Sequence, residues 1–240
     1  SITDKTFFKT LHKGWIRHGI AEIIKMGGVK DIKLLDLLEE VGPTLVDTAF
    51  GTVNTDKGSD VDVTCDKILG LALKSYVESE YDNLYETHQC RPHAFGHTWS
   101  PGFEIASGML HGHAVSVGMG FNGYLSYQRG WIEKHEFLRL LDVITLFGLS
   151  IWHDILLDTE ILWSAQLKMT EKRGGNLAAP VPKGALGSCG YINDISYEEL
   201  KNSILDYKQF CILYPRKGVG IEPLCSDVGL EDPSVIGAAS

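Results

Sequence analysis

Apolar residues recur along most of this chain at helical rather than alternating spacing. Ile16 to Met26 predicts a helix that ends at Gly27-Gly28. Asp31 then fits the N-cap of a second helix, with Ile32, Leu34, Leu35, Leu37, Leu38 and Val41 on its apolar side and Gly42-Pro43 as its stop. Further helices are predicted from about Thr64 to Glu80, His113 to Gln128, Glu133 to Phe147 and Thr159 to Met169. A last one runs from Tyr197 to Leu205, capped by Ser196. The His113–Gln128 stretch carries glycines that permit close packing and is expected to be a buried helix. Between these elements, Phe50 to Asp62 reads as a loop, Arg173 to Gly190 as a long Gly/Pro-rich loop, and the tail from about residue 215 as extended. No internal repeat and no βαβ alternation is visible. The expectation is a mainly α fold, one helical domain over residues 1–240.

Composition changes this picture little. The chain is 44% hydrophobic and 22% charged over 240 residues, with a net charge of −9. That balance argues against a nucleic-acid surface, which needs clustered Lys and Arg. No apolar run approaches the length of a membrane span, and Ser1 to Ile20 mixes Lys, His and Arg into its apolar residues, unlike a signal peptide. Five widely spaced cysteines (Cys65, Cys90, Cys189, Cys211 and Cys225) form no C-x-x-C pair, so a reducing, cytoplasmic setting is expected. The paired glycines Gly27-Gly28 and Gly174-Gly175 do not belong to a G-x-G-x-x-G turn, and no dinucleotide-binding domain is visible.

The candidate chemistry is concentrated in the segment RPHAFGHTWSPGFEIASGMLHGHAV, where His93, His97, His111 and His113 fall within 21 residues. Neutral imidazoles suit zinc, and a catalytic zinc takes three protein ligands and leaves one position open. Upstream, Glu22 and Lys25 lie three apart on one helical face. Glu22 could complete a Glu-His-His site, with the Lys25 ammonium close enough to meet an oxyanion. The ordinary alternative for that pair is an exposed ion pair.

Taken together, Ala21-Glu22-Ile23-Ile24-Lys25, Gly96-His97-Thr98-Trp99-Ser100-Pro101 and Leu110-His111-Gly112-His113-Ala114-Val115 resemble the sugar phosphate cyclases of the dehydroquinate synthase superfamily, in order and in approximate separation. The resemblance implies Glu22, His97 and His111 as zinc ligands and His113 as a neighbour rather than a ligand. Two departures bear on the branch. Pro101 stands where dehydroquinate synthases carry a second histidine, and Ala94 where they carry Asn. With PKGALGSCGYIND downstream, the pattern looks more like the C7-cyclitol branch, and Ala94 more like desmethyl-4-deoxygadusol synthase than 2-epi-5-epi-valiolone synthase.

What the resemblance implies is cyclisation of sedoheptulose 7-phosphate. NAD transiently oxidises a secondary alcohol, phosphate is eliminated, the ketone is reduced again, and an intramolecular aldol addition closes the ring. Zn²⁺, or Co²⁺ in its place, would stabilise developing negative charge. Lys25 and Lys74 match family lysines, which implies a catalytic role for both; with them, Arg91, Lys172 and Arg173 are candidates for holding the phosphorylated sugar. Trp99 and Phe103 read as packing. The chain resembles only the C-terminal domain, so NAD is expected on a missing N-terminal domain, in cis or in trans. The chain is thus expected to be a fragment inactive alone; the family is typically dimeric. Iron-dependent alcohol dehydrogenases share the architecture but use a different ligand pattern. A non-catalytic zinc-binding domain is the reading from another class.

Overall fold

The computed structural model describes residues 3–214 apart from residues 82, 84, 86 and 87. The predicted tail and Cys225 lie outside the described residues. The architecture is mainly α, in the order α1 (Lys13–Val29), α2 (Lys33–Val41), α3 (Thr44–Asp47), α4 (Asp60–Glu80), α5 (Ser100–Ser107), α6 (His111–Gln128), α7 (Lys134–Leu146), α8 (Thr159–Lys172), a hairpin of β1 (Ala179–Lys183) and β2 (Ala185–Ile192), and α9 (Tyr197–Leu213). No helix among the described residues is long and apolar enough to cross a membrane.

The centre is α6, buried over nearly its whole circumference, its polar side chains such as Ser116, Asn122 and Ser126 bonded to neighbouring carbonyls. It is packed by α1, α5, α7, α9 and the hairpin. Close approach explains its glycines. A Cβ on Gly118 would lie 2.2 Å from the Gly96 carbonyl oxygen, and one on Gly112 2.6 Å from the His18 backbone. A side chain at either place would push apart the segments that carry His97 and His111.

The same logic corrects the predicted end of α1. Gly27-Gly28 does not stop that helix, which continues to Val29, because both glycines face partners where a methyl would clash, Leu35 at 2.5 Å and Phe95 at 2.9 Å. These glycines serve packing, not termination. α4 begins at Asp60 rather than Thr64, where Ser59 Oγ accepts the Asp62 amide at 3.3 Å. Asp31 does accept the Lys33 amide at 3.1 Å, and Ser196 accepts the Glu199 amide at 3.2 Å.

The largest correction concerns residues 173–190, predicted as a loop. Residues 179–192 form an antiparallel hairpin turned at Gly184, with Pro180 opposite Tyr191 and Pro182 opposite Cys189. Pro180 and Pro182 turn their carbonyls to α6, where Asn122 Nδ2 donates to Pro180 O at 3.1 Å and Ser126 Oγ donates to Pro182 O. A residue's N–H points the same way as its carbonyl in an antiparallel strand. Ordinary residues here would bury an extra donor, and proline has none.

Candidate metal centre

Three elements converge on one point. Glu22 comes from the middle of α1, His97 from the turn before α5, and His111 from the first residue of α6. One ligand atom from each lies within 4.8 Å of the others. His111 Nε2 is 3.3 Å and His97 Nε2 3.6 Å from Glu22 Oε1, and the two imidazole centroids are 5.3 Å apart.

The ring orientations are set from behind. His97 Nδ1–H donates to the Phe95 carbonyl at 3.0 Å, which leaves Nε2 as the lone pair facing Glu22. His111 Nδ1 sits 3.1 Å from Glu104 Oε2. Lys25 Nζ donates to Glu22 Oε2, so the carboxylate turns its other oxygen, Oε1, to the two histidines. That pair is no exposed ion pair, since Lys25 is only 5% exposed. α6 has no side-chain cap of its own, and His18 Nδ1 supplies one from α1 by accepting the Gly112 amide at 3.0 Å. The start of α6, and His111 with it, is thereby tied to the helix that carries Glu22.

The charges suit a cation. Burial pushes the Glu22 carboxyl up, but the bond to His111 and the Lys25 charge outweigh it and hold the group at about 2. Burial, and next the Lys25 ammonium, lower His97, which is therefore a neutral imidazole. Glu104 first, and then Glu22, push His111 up to about 10. A divalent cation could replace the Nε2 proton there. The fit rests on Glu22 Oε1, a buried carboxylate oxygen that faces two imidazole nitrogens at 3.3 and 3.6 Å. A buried anionic oxygen in that position is costly unless something positive meets it, a proton on His111 or a metal ion. His111 is half-exposed, which leaves the site open on one side.

The other histidines of the cluster point elsewhere. His113 is 3% exposed and turned into the core, its Nδ1 3.2 Å from Ser150 Oγ and its ring against His18. Both nitrogens of His93 are engaged, Nδ1 with Glu80 Oε1 at 2.5 Å and Nε2 with Arg91 Nη2 at 2.9 Å. Trp99 and Phe103 are core residues, each 1% exposed.

The candidate cations separate. Lys25 lies in the centre itself. Arg91 is oriented by His93. Lys172 lines a cleft of about 530 Å³ between α5 and α8, with Lys168, Ser164 and Thr98, the residue after His97. Two are not brought to the metal centre. Lys74 projects from α4 with 67% of its side chain exposed, 3.8 Å from Glu78. The face of α4 that reaches the groove beside Glu22 and Lys25 is Leu69, Ala72, Leu73 and Tyr76, and two residues from Tyr76 is the far side of a helix. Arg173 is buried and donates to the Leu177 and Ala178 carbonyls, bracing the entry to the hairpin.

Sequence reasoning missed Glu104 and His18. A signal for Glu104 existed: it is the only acidic residue between Arg91 and Arg129. His18 carried none, because its role depends on α6 starting beside it.

Residues 19–172 match the family model described as 3-dehydroquinate synthase C-terminal. The demethyl-4-deoxygadusol synthase of Trichormus variabilis is 37% identical over 221 residues, 91% of this chain and 53% of that protein. A 2-epi-5-epi-valiolone synthase of an Actinoplanes species is 32% identical over 208 residues, 85% of this chain and 50% of that one. Among solved structures, ValA, the 2-epi-5-epi-valiolone synthase of Streptomyces hygroscopicus subsp. jinggangensis with NAD⁺ and Zn²⁺ bound, superposes with a TM-score of 0.77 at 30% identity, over 86% of this chain and 55% of ValA. The chain spans about half the length of the curated relatives it matches.

Proposed function

The chain belongs to the 3-dehydroquinate synthase C-terminal family, and from that premise we propose that it is the metal- and substrate-binding half of a sugar phosphate cyclase. The observation that carries the reading is Glu22 Oε1, buried and facing the Nε2 atoms of His97 and His111. Glu22, His97 and His111 would hold Zn²⁺, or Co²⁺ in its place. Such an ion supplies Lewis acidity, binding substrate hydroxyls and offsetting negative charge that develops on their oxygens.

The chain's own residues prepare that step. Lys25 fixes the Glu22 carboxylate and places a second cation beside it. Lys172 and Lys168 line the cleft that starts next to His97 and make no ion pair with any described residue, which suits them to the phosphate end of a sugar. Arg91, held by neutral His93, is a further anion contact. On the other side of Glu22 and Lys25 lies an apolar groove of about 340 Å³, bordered by Leu11, Trp15, Leu73 and Tyr76, each 40–47% exposed. Apolar surface of that kind beside a polar site is commonly covered by a partner. A nucleotide-binding half carrying NAD, in cis or in trans, is the partner that the reading requires. Residues 1–240 act as one unit in this scheme.

Within the family we favour cyclisation of sedoheptulose 7-phosphate to desmethyl-4-deoxygadusol, on the 37% identity to a demethyl-4-deoxygadusol synthase and on Ala94. The valiolone synthase relatives make 2-epi-5-epi-valiolone the second reading. The test is metal content by mass spectrometry of the wild type, His97→Ala and His111→Ala, followed by turnover with the nucleotide-binding half supplied. About one zinc per chain, lost in both variants, with phosphate release from sedoheptulose 7-phosphate, is the expected result, and the product separates the two readings. A wild-type chain that stays metal-free when zinc is supplied overturns the proposal.

A further inference from the structure

The two histidines of the centre are steadied in different ways. His97 leans on a backbone carbonyl, which no substitution of Phe95 removes. His111 has no such support. It stands at the first residue of a helix without a side-chain cap of its own, and half of its side chain is exposed. What fixes its ring is Glu104, one α5 carboxylate with its two oxygens 3.1 and 3.3 Å from Nδ1.

Glu104 is not placed as a fourth ligand. Its oxygens meet the side of the imidazole away from Glu22, and the cluster within 4.8 Å comprises Glu22, His97 and His111 without it. It pairs with no Lys or Arg among the described residues; His111 is its partner. A carboxylate only accepts, so the hydrogen at this contact belongs to Nδ1. A ring that donates from Nδ1 can then offer Nε2 as a lone pair, on the side where Glu22 Oε1 lies 3.3 Å away.

We propose that Glu104 is the positioning residue of this centre: it accepts the Nδ1–H of His111 and so presents Nε2 to a metal ion held with Glu22 and His97. The inference rests on the metal reading above and adds the group that sets the tautomer and angle of the most exposed ligand. Partners of this kind, behind a ligating histidine, are worth roughly 10–100-fold in metal affinity.

The experiment measures zinc affinity by competition with a chelator for wild type, Glu104→Gln and Glu104→Ala. The visible spectrum of each Co²⁺ form and the melting temperature of each metal-free form are recorded beside it. Both variants should bind zinc about 10–100-fold more weakly, Gln less affected than Ala because its amide oxygen still accepts. The Co²⁺ bands should shift, while the metal-free melting temperatures stay close to wild type. Wild-type affinity and an unchanged Co²⁺ spectrum in both variants overturn the proposal. If Glu104→Ala fails to fold, Glu104→Gln decides alone by the same two readouts. A wild type that takes up no metal refutes the metal site itself, an outcome distinct from a wild type that binds while the variants bind equally well.

Discussion

Replacing Gly118 by Ala tests whether the close packing of α6 sets the metal site. Gly118 is in mid-helix, where alanine is the better helix former by about 1 kcal/mol. On propensity alone the variant should gain stability. The structure predicts the reverse. A Cβ at this position falls 2.2 Å from the Gly96 carbonyl oxygen and 3.0 Å from its carbon, about 1 Å inside ordinary contact. The opposing atom is backbone, and it cannot swing aside as a side chain can. Gly96 is itself pinned: its φ is +79°, and a Cβ there would meet Met119 and the Val115 carbonyl at 2.8 Å.

Relief therefore requires the 94–97 turn to move off α6 and carry His97 with it. Overpacking of this kind costs roughly 1–3 kcal/mol, so the helix gain of about 1 kcal/mol is cancelled and the net expectation is a loss of up to about 2 kcal/mol. A ligand displaced by even part of an ångström should also weaken zinc binding by an order of magnitude or more. Urea denaturation of the metal-free chain gives the first quantity and chelator competition the second. Gly70→Ala is the control, since Gly70 lies in α4 with nothing within 4 Å of its would-be Cβ. It should gain up to about 1 kcal/mol from propensity. If Gly118→Ala is stabilised as much as the control and binds zinc like wild type, the close approach of α6 to Gly96 does not constrain the site.

Two further outcomes follow from buried groups. His18, His93 and His113 are each held neutral, chiefly by burial, with pKa values lowered to about 4, 4 and 3. The unfolded chain binds those protons near pH 6.5 and the folded chain does not. Their contribution to stability is therefore full above about pH 6.5 and is lost as pH drops towards 4, by up to about 4 kcal/mol per pH unit while all three titrate. Urea midpoints between pH 7.5 and 4.5 measure the slope, and a flat profile refutes the assignment of three neutral histidines. Arg173→Ala should destabilise the chain by about 2–4 kcal/mol, because two buried carbonyls lose a charged donor, and should leave zinc affinity within about twofold. A variant of wild-type stability that fails only in phosphate binding would return Arg173 to the anion-binding role the sequence suggested.

The helices were legible because apolar periodicity is a local signal, and their ends were less so because glycine has two meanings. Gly42 stops α2 with a φ of +56°, whereas Gly27 and Gly28 lie inside α1 and are small because Leu35 and Phe95 press on them. Nothing in a string of letters separates those cases; only the partner does. The hairpin was hidden for a related reason. Proline argues against a central strand, yet Pro180 and Pro182 lie where a strand edge meets a buried helix, and a missing N–H there is an advantage.

The site divides along the same line. The convergence of Glu22, His97 and His111 was legible because each lies in a short motif whose chemistry survives any uncertainty about the fold. The direction of Lys74 was not, since a lysine acts at a distance and its direction depends on helical phase. Lys74 is one residue past Leu73, which borders the groove, yet that residue turns it by about 100° and out to solvent. Ligands that hold a metal must converge on a single point, so the backbone around them is constrained tightly enough to leave a pattern. A long cation can reach an anion from many backbone positions, and its sequence position is correspondingly free to drift. The same asymmetry explains why Glu104 was readable in principle. A carboxylate that must touch one nitrogen of one ligand is as constrained as the ligand, and in the stretch from Arg91 to Arg129 no other acidic residue is present to do it.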